Sequence, residues 1–484
     1  MSLFIKKSLE QLISQAGDQD KGLKRTLGPV NLIALGIGAI MGAGLFVRTA
    51  EAASEAAGPA VVLSFVIAAL GCAFAGLCYA EFASMIPIAG SAYTYAYVTL
   101  GEFIAWIIGW ALILEYAVGA ATVSIAWSEY LNSLLNGVIP YQWCHSPFET
   151  SATGVNGLIN LPSIFILFIL TLILIKGTKE SATINAIIVF LKVSIVLIFV
   201  VVGWGFINDG NYVPFTIPDA MPGHDGWNRH GWGGVLGGAG IVFYAFIGFD
   251  AVSTAAQESM NPKRDMPIGI LGSLVVCTIL FVLFSHVLTG VANWQEFKIA
   301  GKEASVAYTI KTYMLGYEWL ASLVTVAILA GFSSVILVLL MAQSRIFYSM
   351  SKDGLMPAVF SKLHPRFRTP SKSNMILFVL ASLFGGFVPA TVAGNLVSFG
   401  TLLAFILVCA GILVMRVTHP NAPRQFRTPL VPFVPIVGII LCSLLVLALD
   451  YRTQLSALVW FILGIGVYFL YSKNNSVVRR HQPH

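Results

Sequence analysis

Gly36-Ile37-Gly38-Ala39-Ile40-Met41-Gly42-Ala43-Gly44-Leu45-Phe46 is the stretch on which the fold turns. It sits in an apolar segment of membrane-helix length, yet four of its first nine residues are glycine. Glycine costs a helix about 1 kcal/mol relative to alanine, so the stretch predicts a break in the span. A second run, Gly237-Gly238-Ala239-Gly240-Ile241-Val242-Phe243-Tyr244-Ala245-Phe246-Ile247-Gly248-Phe249-Asp250, repeats the pattern in the other half of the chain. Broken backbone at membrane depth survives only where it is buried in protein or lines a wet cavity. A matched pair of breaks is the strongest sequence pointer to a transporter's binding site.

Composition agrees. Of 484 residues 57% are hydrophobic and 10% charged, with mean hydropathy +0.82. A soluble domain carries about 25% charged residues, which excludes that class. Reading for stretches of about 20 apolar residues gives twelve spans: roughly 29–50, 59–84, 101–126, 161–176, 183–207, 234–257, 267–290, 318–347, 374–390, 396–416, 432–449 and 455–472. Of the 28 lysines and arginines, 21 fall on the side of the termini and six on the other, Arg48 among the six. The positive-inside rule then makes both termini cytoplasmic. This bias accounts for the +6 net charge, so no nucleic-acid partner is called for. The six cysteines suggest neither a disulfide framework nor a metal cluster, and His224 and His230 read as solvated loop residues.

The expected organisation is an all-α integral membrane protein. It has a cytoplasmic segment at 1–28, a five-helix repeat at 29–207, an outer loop at 208–233 and a second repeat at 234–416. Two peripheral helices at 432–472 and a cytoplasmic tail at 473–484 complete it. The second repeat begins after an odd number of spans, so it inserts upside down. A short outer helix is expected within 291–317.

At a break, N–H and C=O groups lose their helical partners. The half-helix beginning near Gly42, Ala43 and Gly44 directs free N–H groups at the gap, which suits a carboxylate. Carbonyls at the neighbouring half-helix ends suit an ammonium, so a zwitterionic amino acid fits both. Gly38 and Gly42 also form a G-x-x-x-G, which for this span alone reads as helix packing too, a reading the matching second break weakens. Lys192 lies about ten residues from either end of its span, about 15 Å deep, and must face the bundle interior. Desolvation disfavours a charged amine, so proton exchange during transport competes with a structural lysine paired with an acid or with carbonyls. Glu115 lies mid-span, where it either balances Lys192 or attracts a cationic substrate side chain. Asp250 is expected near the cavity, Glu258 at the inner rim, Glu81 near the cytoplasmic boundary and His286 near the outer end of its span. Tyr244, with Phe243 and Phe246, is placed to close over a substrate. Ser333 and Ser334 suit hydrogen bonds across helices, or a sodium ion that a nearby ammonium would displace.

The chain resembles the amino acid–polyamine–organocation superfamily, and within it the bacterial relatives of cationic amino acid transporters. The segments that carry the resemblance are GIGAIMGAGLFV at 36–47, CYAEFASMIPIAGSAYTYAY at 78–97, GWALILEY at 109–116, FIGFDAVSTAAQESMNPKRDMPIGI at 246–270 and QSRIFYSMSKDGLMP at 343–357. The resemblance implies a five-plus-five inverted-repeat, leucine-transporter-like fold with helices 1 and 6 discontinuous. It implies that Gly42, Ala43 and Gly44 take the substrate carboxylate, and that carbonyls of Ile40, Tyr244, Ala245 and Ile247 take its amine. It assigns Tyr244 to the gating aromatic and Lys192 to an amine standing where other relatives bind sodium. Two departures are that close relatives often carry a hydroxyl residue at the position of Ala43, and often phenylalanine at that of Tyr244.

The expected function is proton-coupled amino-acid uptake by alternating access across a bacterial inner membrane. An amino-acid or amine exchanger, and a sensor on a transporter scaffold, are the competing readings. No nucleophile–base pairing, metal motif or cofactor motif points to an enzyme. Selectivity is expected from the pocket wall, including Val335 and the region around Glu115.

Overall fold

The computed structural model describes residues 3–8, 27–86, 88, 90–151, 154–176, 178–219, 226–298, 305–365, 367 and 369–480. These residues build helices joined by turns and loops; β-pairing among them is confined to the isolated bridges Leu27–Ser259 and Thr150–Asn156. Among the described residues, eight helices are long and apolar enough to cross a membrane, and four shorter apolar helices accompany them.

Helix α1 (Pro29–Ile40) starts on a proline, whose fixed φ suits the first helical position, and stops at Met41 in extended backbone (φ −79°, ψ 91°). The chain re-enters helix at α2 (Ala43–Phe46) and α3 (Arg48–Ala52), then turns at Gly58 (φ +61°) into α4 (Val61–Met85). A short helix α5 (Ser91–Thr99) precedes α6 (Glu102–Leu134), whose middle widens into a π-turn at Leu114–Val118. Helices α7 (Leu161–Lys176) and α8 (Thr178–Trp204) follow.

The second break repeats the first. Helix α9 (Gly231–Val242) tightens into a 3-10 turn at Phe243–Phe246. The chain becomes extended at Ile247 (φ −59°, ψ 134°), passes Gly248 at φ +108°, and resumes helix at α10 (Ala251–Thr254). Then come α11 (Pro262–Val291), the short α12 (Ser305–Tyr313) within the segment expected to hold an outer helix, and α13 (Glu318–Lys352). Helices α14 (Ser371–Phe387), α15 (Ala390–Thr418), α16 (Phe433–Ala448) and α17 (Tyr451–Val467) follow, and a π-turn and two short helical pieces carry the described chain to Arg480.

Packing places the two breaks at the centre. Helix α11 runs along both α1 and α4, α8 fits among α1, α11 and α13, and α13 and α15 both pack on α6. One face of the bundle, here the terminal face, carries both chain ends. The backbone N–H of Glu102 donates to the Ile5 carbonyl (2.9 Å), and that of Val477 to the Asp353 carbonyl (3.0 Å). Lys7 pairs with Asp353, whose other oxygen accepts from the Tyr93 hydroxyl at 2.7 Å. The first expected segment, 1–28, falls mostly outside the described residues, as does His224.

Candidate functional site

The two breaks touch. A Cβ built on Gly44 would lie 2.2 Å from the Ala245 Cα, and one built on Gly248 2.9 Å from the Ala39 Cβ. Numbers rise along one segment as they fall along the other, so the interrupted stretches pass antiparallel. Only glycine permits this approach, and Gly248 needs it twice over because its φ is positive. Ile40, Tyr244, Ala245 and Ile247 are all buried here, and Val335 of α13 presses a methyl group against Gly42, where a Cβ would sit 2.7 Å away.

The lone span lysine reaches this point. In an unbroken helix the Gly38 carbonyl would accept from the N–H of Gly42, and that of Met41 from Leu45. The break frees both, and the Lys192 ammonium donates to them instead, at 2.9 Å to Gly38 O and 2.7 Å to Met41 O. A buried amine is thus held by main-chain oxygens, with no carboxylate within ion-pair distance among the described residues. Gly331 of α13 leaves room for its stem: a Cβ there would meet Lys192 Cδ at 3.4 Å.

Asn185 belongs to the same assembly. It lies two helical turns before Lys192 on α8, is buried, and donates to Ala34 O (3.4 Å) while accepting from the Ser334 hydroxyl. Its amide fills the space that a side chain at Gly38 would need, 2.6 Å from a built Cβ. Gly38 therefore serves packing and the site together, so the two readings of the G-x-x-x-G are not alternatives. Ser334 makes the expected cross-helix bond, whereas Ser333 donates to Leu329 O of its own helix at 2.9 Å.

Glu115 does not balance Lys192. It lies on the π-turn of α6, fully buried, against Asp250 and near Thr401 of α15. The hydroxyl of Tyr116 donates to Asp250. The two carboxyl groups thus face each other just past the second break, with no basic side chain within ion-pair distance among the described residues.

The remaining charges close the terminal face. Glu258 accepts from Arg345 of α13 at 2.5 Å, and the backbone beside it pairs with Leu27 through Leu27 N to Glu258 O (3.0 Å) and Met260 N to Leu27 O (2.9 Å). Glu81 receives Arg416 at 2.8 Å and Arg424 at 2.9 Å. On the opposite, far face, His286 stacks on Tyr212 (5.0 Å) and lines an open cavity of about 500 Å³ with Trp204, Ile207 and Asp209, all residues apart from the breaks. Burial and the neighbouring Asp209 push the Tyr212 phenol up to about 12. His230 meets Asp219 at 3.0 Å.

Arg48 is the residue the sequence placed least well. Counted among the cations outside the span, it is buried, 4% exposed, with its guanidinium 5.2 Å over the Tyr244 ring. Glu51, three residues on, accepts from it at 2.6 Å, but Tyr244 and Gly394 lie far along the chain and no local pattern marks them.

The family model described as amino acid permease matches residues 27–475. The chain belongs to the amino acid permease family. This permease is 42% identical over 480 residues to the branched-chain amino acid permease BcaP of Bacillus subtilis (strain 168), covering 98% of each chain. It is 40% identical over 482 residues to the methylthioribose transporter of the same organism, covering 99% of this chain and 100% of that one. With the vacuolar cationic amino acid transporter 4 of Arabidopsis thaliana it shares 34% identity over 422 residues, 87% of this chain and 68% of the relative. The permease is a multi-pass membrane protein and a transporter rather than an enzyme.

Proposed function

We propose that this permease takes up neutral, apolar amino acids by alternating access, coupled to proton entry, with the terminal face in the bacterial cytoplasm. The observation that carries the reading is the meeting of two broken helices beside a buried amine that holds the carbonyls one of them has released. In this reading the twelve apolar helices form two inverted five-helix repeats, 29–207 and 234–416, with α16 and α17 peripheral. The N–H groups of Gly42, Ala43 and Gly44 bind the substrate carboxylate. The carbonyls of Ile40, Tyr244, Ala245 and Ile247 bind its ammonium, and the substrate side chain lies toward Val335. Lys192 exchanges its proton as α1 moves: losing the charge weakens its hold on Gly38 and Met41 and frees the end of the helix. No sodium is needed where this ammonium sits.

The apolar wall at Val335 and the likeness to a branched-chain permease favour leucine, isoleucine and valine. The acid pair Glu115–Asp250 favours a second reading, a cationic substrate whose side chain reaches those carboxyls, as the likeness to cationic transporters would have it.

Purified protein in liposomes is the test. Leucine is expected to accumulate under an inward proton gradient, to be displaced by isoleucine and valine, and to be indifferent to sodium. Lys192→Met should abolish gradient-driven accumulation. Arginine accumulation in place of leucine supports the second reading, and displacement by methylthioribose alone overturns both. Uptake that begins only after the lumen is preloaded with amino acid would make the protein an exchanger.

A further inference from the structure

The cavity on the far face lies apart from the broken helices, and its walls come from three elements. Trp204 ends α8, His286 lies near the end of α11, and Ile207, Asp209 and Tyr212 belong to the loop that follows α8. That loop is tied down on α11. The Asn208 N–H donates to Gly290 O at 3.0 Å, the Asn211 amide donates to the same carbonyl at 2.8 Å, and the Tyr212 hydroxyl donates to His286 O at 2.9 Å. A Cβ on Gly290 would lie 2.2 Å from that hydroxyl, so the loop closes down where a side chain is missing. The rings then stand in series: Tyr212 stacks on His286 at 5.0 Å and 6°, and Trp204 lies 5.4 Å from His286 on the cavity side. Asp209 is exposed at the rim, near enough for its carboxylate to bear on the Tyr212 phenol. Among the described residues no lysine or arginine lines the cavity.

Aromatic faces beside a carboxylate attract an organic cation. The surroundings of the cavity say which kind. Along α8 the exposed side runs Leu197, Val201, Trp204, and along α11 it runs Val275, Ile279, then the half-buried Val282 and His286. Both series keep helical spacing, α8 and α11 pack on each other, and each apolar stripe ends on a residue of the cavity wall. The hollow therefore tops a lipid-facing seam. Tryptophan and tyrosine are ordinary at a membrane boundary. A plain aromatic belt, however, does not pin a loop so as to hold a ring-walled hollow with an acid at its rim. We propose that this cavity seats the ammonium headgroup of an aminophospholipid of the ethanolamine type, whose acyl chains lie along the α8–α11 seam. A soluble amine would meet the same rings and acid but leave the seam unused. The proposal needs only that the chain crosses a membrane, and stands apart from the reading of the transported substrate.

The full-length protein, stripped of lipid in detergent, is offered dioleoyl phosphatidylethanolamine and dioleoyl phosphatidylglycerol in equal amounts. Retained lipid is identified by native mass spectrometry, and thermal midpoints are read in parallel. The parent is expected to hold the ethanolamine lipid about tenfold better than the glycerol lipid, the scale of one cation–π contact beside a carboxylate. A bound lipid should also raise the midpoint. Asp209→Asn and Trp204→Leu should each remove most of the preference and leave retention of the glycerol lipid unchanged. Both side chains are exposed, and unaltered midpoints without lipid verify that the variants fold. Equal retention of the two lipids by the parent overturns the proposal, and so does a preference that survives in Asp209→Asn. Free ethanolamine that raises the midpoint as far as its lipid does overturns it as well, because the cavity would then serve a soluble amine. Variants that lose both lipids in equal proportion mark a general lipid contact and likewise overturn it.

Discussion

At Gly44 the main chains of the two interrupted helices approach so closely that a single methyl group has no room, 2.2 Å from Ala245 Cα. The neighbour is backbone and cannot swing aside. Gly44→Ala is therefore expected to abolish uptake, and no second substitution in the wall should restore it; liposome uptake of the single and double variants checks this. Gly42 differs, because its obstacle is the Val335 methyl at 2.7 Å. Overpacking of that kind costs about 1–3 kcal/mol, and Val335→Ala should recover most of the uptake lost in Gly42→Ala. At this scale much was legible: glycine density marks the breaks, and a lysine mid-span must turn inward. Asn185 went unread, although it lies two turns before Lys192 on the same helix face: one polar residue in an apolar helix does not name its partner. Arg48 was not legible, because its burial depends on a missing side chain at Gly394, far along the chain.

The elements follow from their sequences where apolarity sets their limits, and depart where tertiary contacts extend them. Span three, expected over roughly 101–126 from length and hydropathy, continues to Leu134. Its polar end keeps helical hydrogen bonds because Tyr130, 2% exposed, packs edge-on against Phe332 at 5.5 Å. Span nine ends at Phe387, before Pro389, which closes the helix sooner than hydropathy alone suggested. The π-turn that brings Glu115 to Asp250 has no signature in the sequence read alone, and that is why Lys192, rather than Asp250, stood as one of its two expected counterparts. Helix α13 joins the tail of the second break through Arg345 and Glu258, 7% and 8% exposed. Removing one member of a buried pair strands the other, at a cost of about 3–5 kcal/mol. Glu258→Gln should lower the thermal unfolding midpoint in detergent markedly. The double change Glu258→Gln with Arg345→Met should recover part of it.

Across the whole molecule, one carboxylate gathers both chain ends. Glu102 accepts from Tyr97 OH (2.8 Å), Tyr468 OH (2.9 Å), Ser476 Oγ (2.5 Å) and Arg479 Nε (2.6 Å), while its own N–H donates to Ile5 O. Its charge is met by arginine, and the hydroxyls fill the remaining lone pairs, which is the condition for a buried ion to persist. Glu102→Ala should free the tail, so trypsin would cut at Arg479 and Arg480 in the variant much faster than in the parent, as read by mass spectrometry of the released end. Apolar spans and charge asymmetry made the membrane class legible from the first reading. They said nothing of this stitching, because hydrogen bonds between remote loops leave no periodicity.

The near-contact of Gly44 with Ala245 also bears on how permeases of this kind diversify. A junction with no spare volume is a fixed point: neither strand can widen to admit a bulkier cargo or fill in to exclude one. Changes of diet must then be written on the surrounding wall, at places such as Val335, where a side chain rather than a main chain sets the clearance.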